Sequence, residues 1–455
     1  MDIQTDLPPL HAVRLEAPWR EPDVALSAFA DQPWAVGRAG AGAGARWAYL
    51  ARDPDRTLTL DGADPRDAFD ALAELLGATG PPLTEGPPFQ GGVIGLASYE
   101  LGDRVEPLGL VRFEGWPDLA CARYPAILAF DRAERRLWAV GRGGDEAAAT
   151  RAARRALAWL DAPPRPPGAP NGDLVPDDAG AYEQAVAEVV GRIAAGEIFQ
   201  ANIARRWCGR LGPGARPFDL FQRLAAASPA PFAAYLRLAD RAVVSNAPER
   251  FVSVETRPDG LFARTQPIKG TAPRGATCAE DLALAQGLAA SEKDRAENLM
   301  IVDLMRNDLA RVCIPGTVAV PALCAVESFV NVHHLVSTVT GRLAAGRTAI
   351  DLLRAAFPPG SITGAPKVQA MKVIAGLEAP RGPFFGSLFH LGFDGAMDSS
   401  VLIRTAAFTR DAEGWRMEAR AGAGIVADSR PQAERAETEA KIAALAAAAR
   451  GTARG

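Results

Sequence analysis

Apolar positions along the chain follow two periods, and the switches between them mark out most of its elements. Val186, Val189, Val190 and Ile193 recur three and four residues apart, which predicts an amphipathic helix over about 181–195. A second helical pattern runs over about 282–305. A third begins at Pro431, whose missing amide hydrogen costs nothing in a first turn. Short apolar runs bounded by turn residues predict strands at 232–236, 241–245 and 251–254. In the first half, strand-like runs alternate with short helices. The runs 126–130 and 136–140 flank a polar break and predict a hairpin, and glycines inside the run 89–95 predict close backbone approach. Hairpins mixed with isolated helices point to an antiparallel α+β architecture rather than a doubly wound parallel sheet.

The strongest break in this pattern is the segment 162–176, which holds six prolines and separates an N-terminal part, 1–161, from a C-terminal part, 177–455. It reads as a connection between subdomains. The Gly/Ala alternation from Gly40 to Ala45 reads as a surface turn, because no helix with a following Lys-Ser/Thr continues it into a phosphate loop.

Composition narrows the function classes. Lysine and arginine number 50 against 54 acidic residues, a balance without the basic excess of a nucleic-acid binder. Five scattered cysteines with no C-x-x-C pair argue against a disulfide framework or a cysteine zinc site. No apolar run is long enough to cross a bilayer, and Met1 to Asp6 lacks the features of a signal peptide. The chain reads as soluble and cytoplasmic, with no membrane or nucleic-acid partner.

Several polar groups have the spacing or setting for chemistry. Glu434, Glu437 and Lys441 stand at i, i+3 and i+7 on the last helix and so share a face. Glu297 sits where its helix turns apolar, and a carboxylate there wants a partner. If it meets Glu434 and Glu437, three hard oxygen donors favour Mg²⁺; otherwise these are solvated helix faces. Lys269 ends a strand-like run beside Gly270, where an amine can reach a pocket or stay on the surface. The turn Ser361-Ile362-Thr363-Gly364-Ala365-Pro366-Lys367 enters a helix, as anion-binding turns and simple caps both do. Gly422-Ala423-Gly424 is a glycine-lined approach. Arg404, inside the apolar run 401–405, needs a carboxylate or a place facing solvent. His333 and His334 would project to opposite faces of a strand, so at most one enters a given pocket.

Together these segments resemble the chorismate-utilising family, which includes anthranilate synthase component I, isochorismate synthase, salicylate synthase and aminodeoxychorismate synthase component I. The matching motifs are Ala247-Pro248-Glu249-Arg250-Phe251, Pro267-Ile268-Lys269-Gly270-Thr271, the run 293–308, Pro359 through Lys367, and Gly422 through Ser429. The resemblance implies large, mostly antiparallel sheets packed as a sandwich with helices outside. Lysine at 269 and asparagine at 298 match the aminodeoxychorismate branch, where anthranilate synthases carry alanine and histidine. Gln200 stands where water-adding relatives have a lysine base, which favours ammonia as nucleophile.

The implied roles follow residue by residue. Glu297, Glu434 and Glu437 would hold Mg²⁺ against the ring carboxylate of chorismate. Arg404, the backbone of Gly422, Ala423 and Gly424, and Lys441 would hold the enolpyruvyl carboxylate. Glu249 would protonate the departing 4-hydroxyl, and Lys269 would attack C2. Gln200, Thr271, Ser361 and Thr363 would contact substrate, and His334 would lie near the ring. Ammonia would come from a separate glutamine amidotransferase subunit. The alternatives are an anthranilate synthase component I and a non-catalytic chorismate-binding subunit.

Overall fold

Strands from both ends of the chain interleave in two antiparallel sheets. The computed structural model describes residues 9–41, 45–329 and 332–451; Met1 to Asp6 and the Gly42–Gly44 part of the Gly/Ala alternation lie outside them. A twelve-stranded sheet runs in order through His11–Ala17, Arg136–Gly143, Ala126–Asp131, Trp47–Ala51, Val36–Arg38, Phe232–Arg237, Arg241–Ala247, Thr405–Asp411, Gly414–Ile425, Gln200–Arg210 and Gly364–Ala365, with Asp173–Pro176 also against Gln200–Arg210. A ten-stranded sheet runs through Ile268–Pro273, Val332–Arg342, Gly260–Thr265, Arg250–Arg257, Met397–Val401, Ser387–Gly392, Gly92–Ala97, Leu119–Tyr124 and Arg56–Leu60, with Ala319–Ser328 also against Val332–Arg342. Both sheets take strands from each side of 162–176, and the end of that segment is itself the strand Asp173–Pro176. The proline-rich stretch therefore coincides with no change of sheet.

The sheets pack face to face. One buried cluster joins Tyr49, Val140 and Val243 of the larger sheet to Val93, Val252 and Phe389 of the smaller. A second cluster lies on the outer face of the larger sheet, under the helices Pro217–Ala227 and Pro431–Arg450. Strand Ala126–Asp131 shows how the pattern arises. Ile127 and Ala129 enter the first cluster, while Ala126, Leu128 and Phe130 enter the second. A strand covered on both faces reads as a continuous apolar run rather than an alternation. The antiparallel α+β sandwich expected from the sequence is the one observed.

Two elements differ from expectation. The helix predicted over 282–305 is two helices, Cys278–Ala290 and Glu292–Ala310. Ser291 is extended between them and its hydroxyl accepts from the Asp294 amide, so an N-cap residue restarts the helix. The apolar run 401–405 is not one strand. Met397–Val401 belongs to the smaller sheet and Thr405–Asp411 to the larger, and the chain crosses at Arg404, whose φ is 49°. Among the described residues no helix is long and apolar enough to cross a membrane.

The glycines of 89–95 permit the close approach that their pattern suggested. A Cβ at Gly92, which has φ 148°, would lie 2.0 Å from the Leu391 carbonyl oxygen in the neighbouring strand. Gly92→Ala should therefore destabilise the protein by about 1–3 kcal/mol through overpacking, read as a lowered midpoint in thermal or urea denaturation.

Candidate active site

Lys269 is brought to the cleft between the sheets by Ile268–Pro273, the edge strand of the smaller sheet. The opposite wall is the end of the larger sheet, where Gln200–Arg210 pairs with Gly414–Ile425. A Cβ at Gly424 would lie 2.0 Å from Gln200 Nε2 and 3.3 Å from Lys269 Nζ, so only glycine leaves room for both. The Lys269 side chain is 14% exposed, and its Nζ stands 3.9 Å from Glu297 Oε2. Burial lowers its pKa below the ordinary lysine value, against the pull of Glu297, and the charge of Lys441 lowers it further. An amine in this setting gives up its proton more readily than one in water.

Glu249 lies deeper and accepts a hydrogen bond from the Ser361 hydroxyl at 2.7 Å. Burial raises its pKa, opposed by Ser361, Lys269, Lys441 and Arg404, so its acid form is favoured. Those four opposing groups place the acid, the lysines and the arginine in one electrostatic neighbourhood. Arg404 sits at the sheet-to-sheet crossing with an exposed side chain that makes no hydrogen bond or ion pair among the described residues. It takes the solvent-facing option left open for it. His334 is buried and its Nδ1 meets the Thr271 hydroxyl at 2.9 Å. Burial lowers its pKa, which keeps the ring neutral. His333 points the other way, to Ser328 and Asp281.

The carboxylates approach without closing on one point. Lys441 Nζ lies 2.6 Å from Glu437 Oε1 and donates to the Gly422 carbonyl at 2.8 Å. Burial raises the pKa of Glu434, against a bond from Ser429, and Glu437 raises it further. Burial likewise raises that of Glu297, against Lys269 and Lys293, with Asp294 and Glu437 adding to the rise. Glu437 thus couples electrically to both. Among the described residues, however, no three His, Cys, Asp or Glu side chains are arranged to hold a metal ion. In this geometry Glu297 faces a lysine, Glu437 a lysine and Glu434 a serine.

Gly422, Ala423 and Gly424 lie in Gly414–Ile425, past the last residue paired with Thr405–Asp411, so on that side their backbone has no ladder partner. Thr363 is fully buried and its hydroxyl donates to the Pro359 carbonyl, away from the Glu249–Ser361 pair. Asn298 is also fully buried and receives the Ser337 hydroxyl at 2.5 Å behind the strand that carries His334.

Two groups were not legible as site components. Arg381, almost wholly buried, donates to the backbone oxygens of Asn202 and Ile362 and pairs with Glu378 at 2.9 Å, tying the Ser361 turn to the Gln200 strand. No periodicity marks it. The Asn202 side chain shares the cleft-facing side of its strand with Gln200, and the alternation of strand residues was the available signal.

An acid, a buried amine and an unpaired arginine in one cleft have the chemistry of an enzyme site for a small anionic molecule. The family model for chorismate binding enzymes matches residues 30–447, and the chain belongs to that family. It is 41% identical to aminodeoxychorismate synthase component 1 of Salmonella typhimurium over 397 residues, 85% of this chain and 82% of that protein. It is also 41% identical to anthranilate synthase component 1 of Streptomyces coelicolor over 428 residues, 89% of this chain and 81% of that protein. Among solved structures it is similar to anthranilate synthase component I of Streptococcus pneumoniae, with TM-score 0.78, 29% identity, and 89% and 93% of the two chains covered.

The raised pKa of Glu249 gives a pH signature. The folded state binds this proton more tightly than the unfolded chain, so its contribution favours folding at low pH and is lost as pH rises through the folded pKa. Glu249→Gln should remove that loss. The melting temperature of the variant relative to the parent should then rise between pH 4 and pH 8 in thermal denaturation.

Proposed function

We propose that this protein is the component of aminodeoxychorismate synthase that aminates chorismate at C4, giving 4-amino-4-deoxychorismate for 4-aminobenzoate and folate synthesis. The observation that carries the proposal is Lys269, a poorly exposed amine of lowered pKa facing the cleft beside Gln200 and Gly424. Anthranilate synthases, by the resemblance above, have alanine at this place. Relatives named for each of the two activities stand at the same identity, so overall similarity does not choose between them.

Arg404, Lys441 and the Gly422–Gly424 backbone bind the enolpyruvyl carboxylate. The neutral Lys269 amine attacks ring C2, both ring double bonds shift one position toward C4, and the C4–O bond breaks as Glu249 gives its proton to the leaving hydroxyl. Water departs. The ammonia lone pair then attacks C4, both double bonds shift back, and the C2–N pair leaves with Lys269, which returns to its free amine. A lowered amine pKa and a raised carboxyl pKa are the two shifts this sequence needs. His334, neutral and anchored on Thr271, flanks the ring, and Ser361 releases its bond to Glu249 toward substrate. Thr363 supports the turn.

The chemistry of Glu297, Glu434 and Glu437 supports Mg²⁺, since all are hard oxygen donors and burial raises the pKa of Glu297 and Glu434, a cost that a cation would offset; in this structure the three do not close on one point. They would hold the ion, which supplies charge neutralisation for the substrate's ring carboxylate. The component 1 names of the relatives support a separate partner component, which by the family resemblance would be a glutamine amidotransferase supplying ammonia in the cytoplasm.

Incubation with chorismate, Mg²⁺ and ammonium should give 4-amino-4-deoxychorismate by mass spectrometry and chromatography. Anthranilate as the sole product would overturn the reading. Lys269→Ala should lose most turnover while staying folded, and Glu249→Gln should lose about 10²–10⁴-fold in kcat. A non-catalytic chorismate-binding subunit would show no turnover to lose. Glu434→Gln should raise the Mg²⁺ concentration needed for half-maximal rate; rates independent of Mg²⁺ in both proteins would contradict the metal site.

A further inference from the structure

Two buried amides at the cleft wall have hydrogen-bonding capacity that the protein leaves unused. Gln200 is 1% exposed and Asn202 6%, and neither side-chain oxygen has a partner among the described residues. Leaving such an atom unpaired costs about 1–3 kcal/mol, so two together, on one strand face, are unlike ordinary packing. Their surroundings are fixed. Gln200 Nε2 crowds the place of a Cβ at Gly424, and Asn202 Oδ1 lies 2.3 Å from that of a Cβ at Gly422. The backbone of Asn202 is locked by Arg381 at its oxygen and by the Thr363 carbonyl at its amide. The row of Asn202 and Gln200 ends beside Lys269 Nζ, which shares the space at Gly424 with Gln200.

We propose that Asn202, acting with Gln200, forms the seat for ammonia on its way to the substrate ring. The side-chain oxygens accept N–H bonds and leave the nitrogen lone pair free to attack. Ammonia brings three donors to acceptors that otherwise go unmet. Water in the same seat would be oriented but not activated, because neither amide is a base. The inference rests on the amination reading above.

The test is steady-state kinetics with ammonium chloride as the nitrogen source at saturating Mg²⁺. Asn202→Leu and Gln200→Leu keep similar volume and remove the hydrogen-bonding atoms. Asn202→Leu should raise the KM for ammonium at least tenfold while the KM for chorismate stays within twofold and circular dichroism is unchanged, and Gln200→Leu should raise the ammonium KM as well; the KM comparison is read on the Asn202 variant. An unchanged ammonium KM would mean that only ordered water sits there and would overturn the proposal. Parallel rises in both KM values would assign the amides a structural role and overturn it as well. If Asn202→Leu does not fold, Asn202→Ala, which only removes atoms, carries the same measurement. Failure of the parent protein to form any aminated product defeats the amination reading itself, before any variant is compared.

Discussion

The site depends on keeping the Lys269 amine out of water beside a carboxylate 3.9 Å away. Burial alone would strip the proton; Glu297 alone would hold it. The balance between them sets the fraction of neutral amine. Everything around it serves that balance: the sheet edge that presents the lysine, the glycine that makes room for its head, and Lys441, whose charge tips the amine toward neutrality. A side chain at 424 would displace the Gln200 amide and crowd the lysine head.

The same economy of charge runs through the rest of the cleft. Lys269, Lys293 and Lys441 stand among Glu297, Glu434 and Glu437, so acidic and basic groups are nearly matched within the cleft. Buried charge without a partner is far more costly than paired charge. In the proposed reaction the cations would turn to an anionic substrate and Glu297, Glu434 and Glu437 would be left to hold a metal ion, so partners would exchange while the total stayed close to zero. Arg404, unpaired at the chain's crossing between sheets, is the cation most directly available to a carboxylate. Arg381 makes the exchange possible from below, since it fixes the Ser361 turn and the Asn202 strand to one guanidinium. Removing one partner of such a buried pair costs about 3–5 kcal/mol.

The sequence carried the α+β class because hairpins and isolated helices leave different apolar periods, and motif order carried the family. It did not carry the sheet membership of the strands. Ala126–Asp131 and Trp47–Ala51 are buried on both faces, and a continuous apolar run says nothing about which neighbour lies on either side. The proline-rich segment looked like a boundary because local composition cannot show that strands before and after it share a sheet. Ser291 was readable in principle, with Asp294 three residues on, but the apolar residues beyond it masked the break. Lys269, Glu249 and Ser361 were named from motifs and do gather in one place. Thr363, from the same motif, turns into the fold because side chains along the short helical turn at 360–362 step round its axis by about 120° each, so Ser361 and Thr363 point different ways. Arg381 left no mark, since a single arginine has no period.

The most direct measurement is peptide-level mass spectrometry of the protein quenched with chorismate and Mg²⁺ in the absence of ammonia. With no second nucleophile the lysine adduct has no amination route out. The account predicts a mass increase equal to chorismate less one water, confined to the peptide carrying Lys269 and absent from Lys269→Ala. Turnover to aminated product with no adduct at Lys269, and with full activity in Lys269→Ala, would contradict it.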